Sequence, residues 1–295
     1  MTTLRNPHDQ FDEKLQAAFE ANILAALLED VGTGDLTGML VPGDTRVTAR
    51  VIVREAAVLC GAPWFEGLML AVDQETEIDW HYAEGDLMTA DSAVCTIRAN
   101  PRSLLTAERG ALNFMQLLSG VATATRRYVD VIAGTNAAIL DTRKTLPGLR
   151  LAQKYAVRVG GGQNQRMALY DGILIKENHI ASAGGVGAAL QAAANLGSGA
   201  PVQIEVETIA QLEEALAAGA TSVLLDNFDP GMMVDAVRVN GGRALLEASG
   251  GINMDTVRAI AETGVDRISI GSLTKDVRAT DYSLRIVGSV GGVAP

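Results

Sequence analysis

Cysteine and histidine are scarce in this sequence, which has two cysteines and three histidines among 295 residues. Cys60 and Cys95 are far apart and cannot form a disulfide framework, so a reducing cytosol is the simple expectation. Three histidines without a cysteine pair also provide no ligand set for a structural zinc ion. These counts exclude the disulfide-rich secreted class and the zinc-finger class.

Aromatic residues, basic charge and long apolar runs are also in short supply. Aromatics make up 4% of the chain, and a composition rich in Ala, Gly, Val and Leu favours helices packed on parallel strands over a β-sandwich. No segment approaches the roughly 20 apolar residues of a membrane span, and residues 1–10 lack an apolar signal core. The formal net charge of −11 disfavours nucleic-acid or membrane-surface partners. We expect a soluble, cytoplasmic protein.

The second part of the chain repeats one pattern, a short apolar run that ends at a polar residue and is followed by an amphipathic stretch. Such alternation predicts βα units and a parallel sheet with both faces buried. Six units are clear, fewer than the eight of a closed barrel, so an incomplete, open barrel is expected. Ligands in such folds lie at the carboxyl ends of the strands. The six predicted strands begin near Ala137, Gly172, Val202, Ser222, Ala244 and Arg267.

The first part of the chain reads as a separate α+β lobe. A helical pattern over residues 11–28 precedes strand-like segments at 45–53, near Trp80 and at 93–97, and a long helix is predicted over 103–125. The predicted fold class is therefore α/β, with an N-terminal α+β lobe at 1–120 and an open parallel α/β barrel at 121–295. The C-terminal tail could pack back on the N-terminal lobe.

Cations concentrate between Asp141 and His179, where seven basic residues accompany three acidic ones. In an acidic chain this points to a small anionic ligand, and arginine suits carboxylates because its planar fork can bond both oxygens. Arg143, Lys144 and Lys176 follow predicted strands, where packing rarely requires a cation. Arg150, Lys154 and Arg158 are spaced four apart and could equally cover one face of a helix.

Two further groups follow the predicted strands. Glu205 and Asp226 end neighbouring strands, and such paired carboxylates suit a metal ion or a sugar carbon that becomes positively charged. Glycine-rich turns can offer backbone N–H groups to a phosphate. Those turns hold Ser249, Gly250 and Gly251 after the fifth strand, and Gly271 and Ser272 after the sixth.

Longer motifs occur in order along nearly the whole chain. They are Glu29-Asp30-x-Gly32-x-Gly34-Asp35-x-Thr37, Thr106-Ala107-Glu108-Arg109, Asp141-Thr142-Arg143-Lys144-Thr145-x-Pro147-Gly148-x-Arg150, Gly160-Gly161-Gly162-x-Asn164-x-Arg166, Leu174-Ile175-Lys176-x-Asn178-His179, Glu205-Val206-Glu207 and Leu225-Asp226-Asn227-Phe228. Ser249-Gly250-Gly251 and Gly264-Val265-Asp266 complete the series. This ordered set resembles the quinolinate phosphoribosyltransferases.

The resemblance implies transfer of a phosphoribosyl group from phosphoribosyl pyrophosphate to quinolinate with loss of carbon dioxide, giving nicotinate mononucleotide for NAD biosynthesis. It also implies Mg²⁺ and a homodimer, or a hexamer, with shared active sites. By this resemblance, quinolinate is bound by Arg143, Gln165, Arg166 and Lys176, together with Arg109 of the partner subunit. The ribose hydroxyls and the metal are bound by Glu205 and Asp226, which are catalytic together with Lys144. Phosphate is bound by Lys144, Ser249, Gly250, Gly251, Gly271 and Ser272.

One position departs from the family pattern, because many members have histidine where this chain has Gln165. Glutamine can donate a hydrogen bond but cannot carry charge, and the surrounding cations are expected to offset both carboxylates of quinolinate. Three relatives or rivals stay open at this stage: a transferase for another acid such as nicotinate, a relative found beside molybdenum transport functions, and a barrel aldolase with Lys176 as its amine. A phosphate-ligand sensor without chemistry is the non-enzymatic alternative.

Overall fold

The computed structural model describes residues 11–289, and these form two compact units. The first unit comprises residues 11–124, 146–160 and 276–289, and the second comprises 125–145 and 161–275. The predicted boundary at residue 120 falls inside a long helix, and two later segments of the chain belong to the first unit.

The first unit combines four helices with an antiparallel sheet. Its helices are α1 (Glu13–Asp30), α2 (Ala62–Val72), most of α3 (Pro101–Val131) and α4 (Arg150–Val159), with a 3₁₀ turn at Gly38–Leu40. Its strands are β1 (Val47–Val53), β3 (Glu77–Trp80), β5 (Ala93–Ala99) and β12 (Tyr282–Ser289), in the order β12-β1-β5-β3, and a small pair β2 (Ala57–Val58) and β4 (Leu87–Met88). The C-terminal strand β12 thus completes the sheet of the N-terminal lobe.

The start of α3 shows why this helix begins two residues before its predicted position. Pro101 occupies the first helical position, where a missing N–H costs nothing. The Oδ1 atom of Asn100 accepts a hydrogen bond from the N–H of Arg102 (2.9 Å), which satisfies a free donor of the first turn. The helix then continues to Val131, beyond the predicted end at 125, and its apolar residues enter the core around Phe19, Trp64 and Phe65.

The second unit is built on one parallel sheet of six strands. The strands are β6 (Ala138–Leu140), β7 (Ile173–Ile175), β8 (Val202–Val206), β9 (Ser222–Asp226), β10 (Leu245–Ser249) and β11 (Arg267–Ser269), in the order β6-β11-β10-β9-β8-β7. The edge strands β6 and β7 do not pair with each other within the described chain, and a single bridge joins Leu140 of β6 to Gln163. The sheet is therefore an open barrel, and the predicted fold class is confirmed.

Helices connect the strands of the second unit. They are α5 (Glu177–Ala183), α6 (Val186–Asn195), α7 (Ile209–Ala217), α8 (Pro230–Asn240), α9 (Val257–Glu262) and α10 (Ser272–Lys275). Local sequence fixes their starts: the side chains of Thr208 and Asp229 accept backbone N–H bonds at the N-termini of α7 and α8. These short connections bring the carboxyl ends of all six strands to one edge of the sheet.

Candidate active site

Charged side chains meet at the carboxyl ends of β7, β8 and β9. Lys176 directly follows β7, and its Nζ lies 3.4 Å from Oε2 of Glu205 on the adjacent strand β8. Asp226 ends β9, which pairs with β8 on its other side. Lys176, Glu205 and Asp226 are called the rim below. The Lys176 side chain is 48% exposed and that of Glu205 is 11% exposed, so the cation is open to solvent and the carboxylate is recessed.

The pKa of Glu205 reports how close the rim residues lie. Burial raises this pKa, the ammonium of Lys176 lowers it, and the carboxylate of Asp226 raises it again. Two neighbouring carboxylates that repel one another favour a positive charge between them. This arrangement fits either a divalent cation or a sugar carbon that becomes cationic during reaction.

A pair of arginines forms a second cluster in the same unit. Burial lowers the pKa of Arg166, and the positive charge of Arg143 lowers it further, which requires the two guanidinium groups to be near each other. The Nε atom of Arg143 is buried and has no hydrogen-bond partner among the described residues. A buried donor without a partner is costly, and an anionic ligand would satisfy it. Two adjacent guanidinium groups match a compound with two carboxylates.

Lys144 lies beside the end of β11. A Cβ atom added to Gly271 would come within 3.0 Å of Cδ and 3.8 Å of Nζ of Lys144, so a side chain there would press on this lysine. The backbone of Lys144 is held by two hydrogen bonds. The N–H of Lys144 donates to Oγ1 of Thr142 (3.0 Å), and the carbonyl of Lys144 accepts from Oγ1 of Thr274 (2.7 Å). Lys144 and Gly271 therefore lie side by side.

The turn after β10 is packed closely against the turn after β9. Asn227 has a positive φ of 56°, and its N–H donates to the carbonyl of Ser249 (3.0 Å). Gly250 has a φ of 105°, and a Cβ atom there would collide with Oδ1 of Asn227. Only glycine fits this conformation and this space without strain, which leaves the backbone at Gly250 accessible to a ligand. Gly251, also exposed, follows it.

Beneath the rim, the barrel interior holds a polar cluster that joins the predicted site residue Gln165 to Gln203 and Glu247, two buried residues that the sequence did not predict for the site. Gln203 stands two residues before Glu205 on β8, so both side chains point to the same side of the sheet. Nε2 of Gln165 donates to Oε1 of Gln203 (2.7 Å), and Nε2 of Gln203 donates to Oε2 of Glu247 on β10 (2.9 Å). Gln165, Gln203 and Glu247 are called the interior layer below. A polar residue in an apolar strand, at even spacing from a predicted site residue, was the available signal.

The interior layer borders a cavity of about 590 Å³. Arg166 also lines it, together with the first residues of five strands, Ile173, Val202, Ser222, Leu245 and Arg267. Lys144 lies with Gly271 and Lys176 with Glu205 at the carboxyl ends of strands. Gln165 and Arg166 line this cavity, which extends to the residues where strands begin. Arg109 is an exposed residue of α3 in the first unit.

The basic residues of helix α4 could, from the sequence, either bind an anionic ligand or cover one face of a helix. Lys154 is fully buried in the first unit, and Arg158 lies over the ring of Tyr155 at 6.0 Å from the ring centroid. Both residues therefore contribute to packing of the first unit.

The donor set of the rim fits Mg²⁺ only when other ligands join it. No group of three or more His, Cys, Asp or Glu side chains that could hold a metal occurs within residues 11–289. Two carboxylates near each other are nevertheless the hard oxygen donors that Mg²⁺ uses when substrate phosphates and water supply the rest of its octahedron. Glu205 and Asp226 are therefore compatible with a metal that arrives with a substrate.

Two family profiles match the chain. The profile described as "Quinolinate phosphoribosyl transferase, N-terminal domain" matches residues 33–119, and the one described as "Quinolinate phosphoribosyl transferase, C-terminal domain" matches residues 121–285. The chain belongs to the quinolinate phosphoribosyltransferase family. The resemblance inferred from the ordered motifs is thereby confirmed.

Individual members of the quinolinate phosphoribosyltransferase family agree in sequence and structure. The nicotinate-nucleotide pyrophosphorylase (carboxylating) of Mycobacterium leprae is 41% identical over 272 residues, covering 89% of this chain and 95% of that protein. The probable nicotinate-nucleotide pyrophosphorylase (carboxylating) of Bacillus subtilis is 38% identical over 260 residues, covering 88% and 90%. The structure of the Francisella tularensis nicotinate-nucleotide pyrophosphorylase superposes with a TM-score of 0.89 at 44% identity, covering 92% of this chain and 96% of that one.

Among the helices of residues 11–289, none combines the length and apolar character needed to cross a membrane.

Proposed function

We propose that this chain transfers the phosphoribosyl group of phosphoribosyl pyrophosphate to quinolinate, with loss of carbon dioxide, and that the residues described above form the site. The observation that carries this proposal is the arginine pair, since Arg143 has a buried donor without a partner and acts electrostatically on Arg166. Quinolinate brings two carboxylates to these two cations. Lys176 supplies a third cation, and Gln165 adjoins Arg166.

The rim accounts for the transfer step. As the bond between C1 of the ribose and the pyrophosphate oxygen breaks, positive charge develops on the sugar, and Glu205 and Asp226 stabilise it. The pyridine nitrogen forms the new bond to C1 from the opposite face. The resulting pyridinium withdraws electrons from the adjacent carboxylate carbon, so carbon dioxide leaves and a proton takes its place on the ring. No protein nucleophile is required, and positioning contributes much of the rate.

The anionic ends of phosphoribosyl pyrophosphate require donors at the other strand ends. Lys144 is the cation of that region, and its proximity to Gly271 supports a phosphate site there. The exposed backbone around Gly250 supports a second set of N–H donors. The phosphate-binding residues of this proposal are Lys144, Ser249, Gly250, Gly251, Gly271 and Ser272.

Mg²⁺ belongs to the same proposal, with Glu205 and Asp226 as its protein ligands. Bound there, it would neutralise charge on the pyrophosphate. Cytoplasmic location is proposed because Cys60 and Cys95 are both free thiols buried in the core and no disulfide is available to them. A homodimer with shared sites is proposed because the family resemblance gives Arg109 to the partner subunit's quinolinate.

The primary test is a coupled assay of the purified chain with quinolinate, phosphoribosyl pyrophosphate and Mg²⁺. We expect carbon dioxide and nicotinate mononucleotide in a ratio of one to one, and loss of both when a chelator removes the metal. Product from nicotinate but not from quinolinate would move the assignment to a one-acid transferase. Binding of both substrates without any product would favour the sensor. For the aldolase, reduction by borohydride in the presence of a carbonyl compound would have to trap Lys176. Its amine is instead paired with the carboxylate of Glu205 at 3.4 Å.

The shared site has a test of its own in a mixture of two inactive variants. Arg109→Ala and Glu205→Gln should each lack activity, and subunit exchange should restore it in a hybrid dimer, because one of its two sites then carries neither change. A mixture of Glu205→Gln and Asp226→Asn is the matched control and should stay inactive, since both residues act in the same barrel. If the first mixture stays inactive after subunit exchange has been verified, Arg109 does not act in the partner subunit's site.

A further inference from the structure

A chain of hydrogen bonds runs through the interior layer and ends at the backbone of Arg166. Glu247 is 1% exposed and Gln203 is 7% exposed, so water does not compete for these groups. Oε2 of Glu247 accepts from Gln203, Oε1 of Gln203 accepts from Gln165, and Oε1 of Gln165 accepts from the N–H of Arg166 (2.7 Å). The order is therefore Glu247, Gln203, Gln165, Arg166, and the side chain of Gln165 also interacts directly with Glu247.

The carboxylate at one end gives this chain a direction. An amide has one end that donates and one that accepts. Oε2 of Glu247 accepts from the NH₂ group of Gln203, which turns the carbonyl oxygen of Gln203 toward Gln165. The same argument turns the NH₂ group of Gln165 toward Gln203 and its oxygen toward Arg166. A reversed amide at either position would place two acceptors or two donors against each other in a buried site.

The segment that this chain reaches is held at several further points. NH1 of Arg166 donates to the carbonyl of Gly172 (3.0 Å), and the carboxylate of Asp171 accepts from the N–H groups of Met167 (2.7 Å) and Ala168 (2.8 Å). These bonds fix the loop relative to itself. The interior layer ties the Arg166 backbone, through Gln203, to the strands β8 and β10 that also carry Glu205 and Ser249.

We propose that Gln203 and Glu247 are positioning residues for quinolinate: through Gln165 they hold Arg166 in register with the rim. Gln165 then acts by orienting Arg166 rather than by contributing charge, which explains how this chain functions without the histidine that many family members have at this position. The inference rests on the proposed function, because it takes Arg166 to be a quinolinate ligand. A residue that only stabilises the fold would change the KM for both substrates, whereas a residue that positions Arg166 should change the KM for quinolinate only.

The test interrupts the chain at its middle and then rebuilds it in the swapped order. Gln203→Met keeps the volume of the side chain but removes both its donor and its acceptor. We expect the KM for quinolinate to rise about tenfold, in keeping with the loss of a buried hydrogen bond, while the KM for phosphoribosyl pyrophosphate changes less than twofold. Gln191→Met is the matched control, since Gln191 is exposed on α6 and donates to Asn195 on the same helix, and it should behave as wild type.

The swapped double variant Gln203→Glu, Glu247→Gln preserves the direction of the chain. The amide at 247 donates to the carboxylate at 203, which still accepts from Gln165. The quinolinate KM should return to within about threefold of wild type, whereas Gln203→Glu alone places two carboxylates together and should not. Normal quinolinate KM in folded Gln203→Met, or equal increases in both KM values, would overturn the inference. A double variant that folds with wild-type melting temperature but binds quinolinate no better than Gln203→Met would also overturn it. An inactive wild type would instead count against the proposed function.

Discussion

The rim and the interior layer belong to one barrel and share strand β8, but they differ in what surrounds their side chains. On β8, Glu205 belongs to the rim and Gln203 to the interior layer, separated by one residue. Glu205 is recessed but meets an exposed ammonium, and Gln203 is enclosed by amide and carboxylate partners. Charge at the solvent edge can act on a substrate. Polar groups deeper in the barrel must be satisfied by the protein itself.

The difference also appears in the two glutamates. The pKa of Glu205 is raised by burial and lowered by Lys176, whereas burial raises the pKa of Glu247 and amide hydrogen bonds from Gln203 oppose that shift. Glu205 is thus balanced by an exposed cation. Glu247 is balanced mainly by hydrogen bonds from buried neighbours and is suited to holding other residues in place.

The largest expected effect separates chemistry at the rim from binding. Glu205→Gln and Asp226→Asn should each lower kcat about 10²- to 10³-fold, because each removes a charge that stabilises the developing sugar cation. Quinolinate affinity, measured by equilibrium dialysis, should change less than threefold. Glu213→Gln, an exposed change on α7, is the control. Normal turnover in both rim variants would remove the assigned roles.

The next effect concerns the arginine pair. Arg166→Ala should raise the quinolinate KM about 30-fold, equivalent to about 2 kcal/mol for a charged hydrogen-bonding partner, with kcat reduced less. Arg143→Ala should behave similarly, because both guanidinium groups meet the same dicarboxylate. Steady-state kinetics with each substrate varied in turn would check this, and Arg238→Ala at an exposed ion pair should have no effect. Unchanged quinolinate kinetics in both arginine variants would contradict the assignment of the substrate pocket.

A smaller effect tests the turn that joins the ends of β9 and β10. Gly250→Ala should lose about 2 kcal/mol of unfolding free energy, from backbone strain and collision with Asn227, and should raise the KM for phosphoribosyl pyrophosphate. Gly242→Ala is the comparison, since Gly242 also has a positive φ of 78° but no neighbour within 4 Å of a Cβ atom. Chemical denaturation of both variants isolates the collision. Equal stability losses would show that Asn227 moves freely.

The smallest expected effect lies in the pH dependence of stability. Burial raises the pKa of Glu247 in the folded protein, so its folded form binds a proton more tightly than the unfolded chain does. This contribution is favourable below the unfolded pKa, near 4.3, and declines as the pH rises toward the folded pKa. The unfolding free energy of Glu247→Gln relative to wild type should therefore increase from about pH 4 to neutral pH. A difference independent of pH would mean that Glu247 titrates as in the unfolded chain.

Much of the barrel could be predicted from the sequence because the signals are local. Six short apolar runs became six parallel strands, and the residues that follow them, such as Lys176 and Asp226, do lie at strand ends. The predicted boundaries of α3 were less accurate, since the ends of this helix depend on capping by Asn100 and on packing against the core. The C-terminal strand β12 could not be placed by pattern alone, because its partner β1 lies more than 200 residues away in the chain.

The sequence by itself determined the family, the alternation of strands and helices, and which residue types stand at the carboxyl ends of the strands, because these follow from the spacing of neighbouring residues. Only the tertiary structure decided which of those residues meet. Lys176 pairs with Glu205 and Lys144 adjoins Gly271, since in each case the strands involved are adjacent in the sheet but distant in the chain. Gln203 of β8 reaches Glu247 of β10 past the intervening strand β9, and Gln165 joins them from a loop. Burial then gave these contacts their strength, by excluding the water that would otherwise satisfy the same polar groups.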